Sequence, residues 1–246
     1  MGFFKNIFSA KVPSTTKIDE IDYSKIDKNF FRSNYFSPRA PLLIKGGANG
    51  WPMIKNWTKD YIIDKYGEYK CTVISDSRPA HSKLKTNLAD YFINHKGKST
   101  LTLDFDPMKS VFFLKGLKFP NMYFSKKEIH RFFFYHSIKE AGTLPHVHRD
   151  AFNILRKGKK RWLMFEASQN ISPVGFKLLK ESYVKYPPGT HAKDWFKKEL
   201  NRVSKKVELF ECYQTDMDIV YVPENYCHTV LNISDEVLGI VVETLR

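Results

Sequence analysis

The stretch "GTLPHVHRDAFNILRKGKKRWLMF", residues 142–165, decides how the chain is read. It opens with two histidines separated by one residue and an aspartate two further on, His146, His148 and Asp150. In extended backbone, side chains two apart point the same way, so these three would share a face. All are metal-capable types, and histidine is the commonest metal ligand; a polar loop is the bland alternative. Then come "FNILRKG" and "KRWLMFE", two short runs rich in β-branched and aromatic residues about a glycine turn. That is the texture of paired strands.

Working outward, the same texture recurs from about residue 100. "LTLDF", "SVFFLKG", "RFFFYHSI", "KVELFEC", "DIVYVP", "TVLNIS" and "EVLGIVVETL" are further short runs bounded by turn residues. Their density predicts a mainly β fold, a sandwich or barrel. One insertion at about 167–206 interrupts them. It reads as helical on both sides of a "YPPG" turn, with Trp195, Phe196, Leu200 and Val203 on one helical face. Residues 35–100 read as a mixed α/β lead-in. "APLLIKGG" is a strand closed by two glycines. "TKDYIIDKYG" is a helix capped by Thr58 and stopped at Gly67, and "YKCTVIS" is a strand. "KTNLADYFINHKG" is a second helix, with Thr86 as cap, Leu88 and Phe92 on one face and Gly97 as stop. Residues 1–34, with "VPSTTK", are expected as a flexible lead-in.

Composition narrows the class. The chain has 246 residues, 42% hydrophobic and 15% aromatic, which excludes a disordered chain. No apolar run approaches the roughly 18–20 residues that a membrane span requires. The N-terminus "MGFFKNIFSAKVPSTT" lacks a long apolar core, so it does not read as a signal peptide, and Asn6 argues against a myristoylation start. Cys71, Cys212 and Cys227 fit no zinc spacing or disulfide framework. They point to a reducing, intracellular compartment, cytoplasmic or nuclear. Forty Lys+Arg against 26 Asp+Glu give a net charge of +14. Such a surplus suits polyanions, either a nucleic acid or ribosome-associated partner or an acidic protein surface. The lysines form no single block, and no nucleic-acid-binding motif is present.

A distant histidine changes the weight of the opening stretch. His228 lies in "DMDIVYVPENYCHTVLNI", residues 216–233. Two ligands close in sequence plus one far away is how an open iron site is built on a barrel, with positions kept for substrate and oxygen. Lys160 falls on the strand after the His pair, where a buried cation would bind a carboxylate. His81, His95, His130, His136 and His191 have no such context and read as structural or surface residues.

These two stretches together, with "APLLIKGGANGWPMIKNWTKDYIIDKYGEYKCTV" (residues 40–73) upstream, resemble the JmjC and cupin-like family of Fe(II)/2-oxoglutarate oxygenases. The resemblance covers residues 35–246. It implies a double-stranded β-helix (jelly-roll, cupin) barrel with N-terminal helices and a helical insertion. It also implies Fe(II) as metal, 2-oxoglutarate and O2 as co-substrates, and His146, His148 and His228 as metal ligands. Thr143, Lys160, Asn153 and Asn232 match the family's co-substrate positions, with Asn153 one residue beyond the usual spacing. Asp218 matches a turn aspartate, and Met217 stands where the family has glycine. Most members carry His-x-Asp or His-x-Glu where this chain has His146-x-His148. Either His148 replaces the carboxylate, or the frame slips by two and Asp150 becomes the ligand. The slipped frame breaks the Thr143 spacing. The implied function is hydroxylation of a macromolecule, a protein side chain first. The alternatives are a non-catalytic JmjC-like binding module and a metal-dependent cupin enzyme that does not use 2-oxoglutarate.

Overall fold

The computed structural model describes residues 14–74, 83–95, 100–105, 128–167 and 189–245. Expected features at residues 110–116, at Gly97 and in the first part of the insertion lie outside them. Among the described residues, fourteen strands form two sheets. They are β1 (Thr16–Lys17), β2 (Asp19–Asp22), β3 (Leu42–Lys45), β4 (Lys70–Ile74), β5 (Lys83–Asn87), β6 (Thr100–Phe105) and β7 (Ile129–Ile138), then β8 (Gly142–His146), β9 (Ala151–Lys157), β10 (Lys160–Glu166), β11 (Phe210–Gln214), β12 (Ile219–Val222), β13 (Tyr226–Asn232) and β14 (Glu236–Thr244). The smaller sheet runs β1-β11-β10-β13-β8, and the larger runs β2-β3-β12-β9-β14-β7-β6-β4-β5. Apart from the adjacent β10 and β11, strands β7 to β14 switch sheets at each step in jelly-roll order: β12-β9-β14-β7 face β11-β10-β13-β8.

Residue alternation explains the layering. On β10, Trp162 and Met164 join Val220, Val222 and Leu43 in the core between the sheets, while Leu163 and Phe165 point outward. On β9, Phe152 and Ile154 point out to a third cluster, with Phe31, Trp57, Phe132 and Phe134. Both faces of each sheet are covered, so the central strands read as nearly continuous apolar runs. Helices 192–198 and 200–203 cover the outer face of the small sheet. Trp195, Phe196, Leu200 and Val203 are all buried there, on the face the sequence predicts.

Two expectations are corrected. Residues 14–34 are built into the barrel rather than trailing from it. β1 pairs in parallel with β11 and β2 in parallel with β3, so one segment edges both sheets, with Ile18 buried between them. These pairings span up to about 190 residues of sequence and leave no local signature. In the second lead-in helix the cap is Asn87, whose side chain accepts from Asp90 N; Thr86 belongs to β5 and donates to the Asp90 carboxylate instead. Thr58 caps its helix as expected, accepting from Tyr61 N.

Candidate active site

Histidines 146 and 228 sit opposite one another across the β8–β13 pair. The register pairs His228 with His146 but Val230 with Thr143, so Leu144 and Pro145 oppose Thr229 alone. This β-bulge adds one residue to β8, and Pro145, which has no N–H to donate, suits it. A regular strand would turn residues 143 and 146 to opposite faces; the bulge returns both to the lumenal side, with Val230 and His228. Gly142 permits the close approach, because a Cβ there would lie 1.9 Å from the Val230 carbonyl oxygen.

The strand ends at His146, and His148 sits in the turn that follows. Ring centroids are 4.2 Å apart for His146–His228, 4.5 Å for His148–His228 and 5.4 Å for His146–His148. One nitrogen from each ring falls in a group whose members lie within 4.8 Å of one another. The Nδ1 atoms are held by backbone carbonyls: His146 to Leu144 at 2.8 Å, His148 to Arg149 at 2.7 Å and His228 to Tyr226 at 3.1 Å. A carbonyl only accepts, so each Nδ1 is the donor and Nε2 is the nitrogen left to face a metal. That is the orientation in which imidazoles ligate metals. Burial, then the neighbouring His146 and His148, holds His228 well below its ordinary range, which keeps it in the neutral, ligating form. By donor chemistry and spacing, the three residues fit one metal ion.

Asp150 is placed elsewhere. It is buried, and its carboxylate accepts from Tyr221 Oη at 2.8 Å and Glu224 N at 3.0 Å. Tyr221 belongs to the outer cluster with Phe152 and Phe31. Asp150 therefore fastens the β8–β9 turn to β12 and does not join the histidines, because the chain is no longer extended between 146 and 150.

Deeper in the barrel, Lys160 is 6% exposed and pairs in register with Asn232, two inward steps below His228. Its Nζ lies 3.8 Å from the centroid of the Tyr135 ring and 5.4 Å from that of Trp162. Burial alone brings its pKa down to about 7. Among the described residues no carboxylate pairs with it. A buried ammonium among aromatic faces is costly unless an anion arrives. Asn153 is buried on the lumenal side of β9, with Oδ1 accepting from Tyr135 Oη at 2.9 Å. Asn232 Nδ2 donates to the Ile138 carbonyl, and its Oδ1 is buried with no partner among the described residues. Thr143 shares the lumenal register but is solvent-exposed, and its carbonyl accepts from Thr229 Oγ1.

Sequence reasoning missed Gln214. It is fully buried; Oε1 accepts from Trp162 Nε1, and Nε2 donates to the carbonyls of Asn153 and Asp218. One amide thus clasps three strands beneath the pocket. Asp218 accepts from Lys45 Nζ, Gly46 N, Thr215 N and Thr215 Oγ1, which fixes the turn before β12. Met217 occupies the glycine position at φ +68°, the left-handed region.

No family model matches the chain. Curated proteins do. It is 25% identical to the bifunctional arginine demethylase and lysyl-hydroxylase psr-1 of Caenorhabditis elegans, over 89% of this chain and 59% of that protein. It is 24% identical to the arginine-specific demethylase JMJ22 of Arabidopsis thaliana, over 84% of this chain and 42% of that one. It is 23% identical to the lysine-specific demethylase JMJ21 of the same plant, over 83% and 23%. Across most of its length the chain is therefore similar to JmjC demethylases and hydroxylases. It spans about three-fifths of the length of the psr-1 protein it matches. JmjC hydroxylases use Fe(II) and 2-oxoglutarate, and the histidine cluster of this chain suits such an iron. No helix among the described residues is long and apolar enough to cross a membrane.

Proposed function

We propose that this chain is an Fe(II)/2-oxoglutarate-dependent oxygenase that hydroxylates a protein side chain. The observation that carries this reading is the pairing of two features in one barrel. Three imidazoles, each with Nδ1 held by a backbone carbonyl, offer one nitrogen apiece to a common centre, and a buried lysine with no acid partner among the described residues lies below them. With Fe(II) bound, the site would supply activation of O2, in which 2-oxoglutarate leaves as succinate and CO2 and one oxygen atom enters a substrate C–H bond.

The chain's own residues set the conditions. His146, His148 and His228 hold the metal, their rings locked by the carbonyls of Leu144, Arg149 and Tyr226. Lys160 meets the remote carboxylate of the co-substrate, with Thr143, Asn153 and Asn232 as neighbouring polar groups. Trp162, Met164, Val220 and Val230 close the lumen against water. The names of the relatives favour a protein substrate. The +14 charge favours one that is acidic or associated with nucleic acid or ribosomes, and the three free cysteines favour a cytoplasmic or nuclear setting.

His148 in the place of a carboxylate favours a second reading, a binding module that keeps the pocket without turnover, because three neutral ligands leave the metal more positive. Succinate formation from 2-oxoglutarate by iron-loaded wild type, against His228→Ala treated alike, separates the two. Succinate above the variant's background supports the oxygenase. Binding of both iron and 2-oxoglutarate with no excess succinate supports the module.

A further inference from the structure

One aromatic in the barrel floor is held in a way that core packing alone does not require. Tyr135 lies on β7, directly opposite Gly239 of β14. A Cβ on residue 239 would fall 2.4 Å from Tyr135 Oη and 2.7 Å from its Cζ, so the missing side chain is the space the tyrosine ring occupies. From that seat the ring face lies 3.8 Å beneath Lys160 Nζ, and the hydroxyl donates to Asn153 Oδ1 at 2.9 Å. Tyr135 therefore touches two of the pocket's polar residues, which stand on different strands, β10 and β9.

We infer that Tyr135, seated on Gly239, is the positioning residue of the co-substrate pocket: its ring face holds the Lys160 ammonium where a remote carboxylate is received, and its hydroxyl fixes Asn153 beside it. The inference rests on the oxygenase reading of the site. Three physical points carry it. The ring offers its negative face to a cation that has no acid partner among the described residues, which stabilises the charged form where water cannot. The phenol cannot serve as an acid or base near neutral pH, because burial raises it far above its ordinary range; its role is geometric. The bond to Asn153 orients a side-chain amide that otherwise has two nearly equivalent settings, by holding its Oδ1 against the phenol.

The experiment measures binding of 2-oxoglutarate and of 2-oxobutyrate, which has the same keto-acid end and no remote carboxylate, to protein loaded with manganese(II). Wild type, Lys160→Ala, Tyr135→Met, Tyr135→Leu and Tyr135→Phe are compared. Tyr135→Met and Tyr135→Leu both remove the ring face, and either suffices if it melts as cooperatively as wild type. The expected result is a roughly five- to thirty-fold loss of 2-oxoglutarate affinity in the ring-deleted variants, the size of a desolvated cation–π contact. Their 2-oxobutyrate affinity stays unchanged, and Tyr135→Phe recovers most of the loss. A purely structural role would weaken both keto acids together, and that result overturns the inference. So does unchanged 2-oxoglutarate affinity in the ring-deleted variants while Lys160→Ala binds weakly; the oxygenase reading then stands without it. Unchanged affinity in Lys160→Ala removes the underlying reading of the pocket, and the inference with it.

Discussion

Lys160 is the residue whose chemistry is most constrained by its surroundings. Burial lowers its pKa to about 7, against the ordinary 10.5. Between those values the unfolded chain holds a proton that the folded chain has released, so this residue's contribution to stability becomes more favourable as pH rises through the window. Ligand binding runs the other way, because a carboxylate pairs only with the ammonium. Affinity for 2-oxoglutarate is therefore expected to be flat below about pH 7 and to fall roughly tenfold per pH unit above it. Calorimetry at pH 8 in buffers of different ionisation enthalpy should show about one proton taken up per ligand. Equal affinity at pH 6.5 and 8.5 would count against the assignment. A second residue-scale expectation concerns Glu140, which sits at φ +64° in the turn joining β7 to β8; its backbone N–H donates to the Asn232 carbonyl, and its side chain forms an exposed ion pair with Lys193. Asparagine tolerates that backbone better and such ion pairs contribute little, so Glu140→Asn should raise stability by about 0.5–1 kcal/mol, read from a denaturant midpoint.

At the scale of elements, the bulge in β8 and the strap formed by β1 and β2 do different work. The bulge turns Thr143 and His146 to one face and so sets the spacing between a pocket residue and a metal ligand. The strap closes the edges of both sheets and inserts Ile18 among Leu43, Trp162, Cys212 and Val220. Ile18→Ala should cost about 2–4 kcal/mol, since the rigid strands around it cannot collapse into the space. The same substitution should leave metal stoichiometry unchanged, because Ile18 touches none of the three histidines. Loss of metal binding in a folded Ile18→Ala protein would mean that the strap shapes the site directly.

For the whole molecule, what could be read from the chain followed the range of the interactions. The jelly-roll class was legible because each strand carries its own pattern and turn. His146, Lys160 and His228 were legible because they sit in short local motifs. Asp150 was ambiguous, since period-two alternation says nothing about where a strand ends; the chain leaves β8 at His146 and carries the aspartate to the outer face. Tyr135 was hidden in "RFFFYHSI", where one ring among aromatics reads as core until β14, about a hundred residues later, places Gly239 behind it. Gln214 and the β1–β11 pairing were invisible for the same reason. The central claim is that His146, His148 and His228 form one metal centre. Its most direct measurement is the stoichiometry and affinity of iron(II) binding, taken anaerobically on wild type, His146→Ala, His148→Ala, His228→Ala and Asp150→Asn. The expected result is one iron per wild-type chain, at least tenfold weaker binding in each histidine variant, and wild-type binding in folded Asp150→Asn. Wild-type binding in His148→Ala together with loss in Asp150→Asn would contradict it.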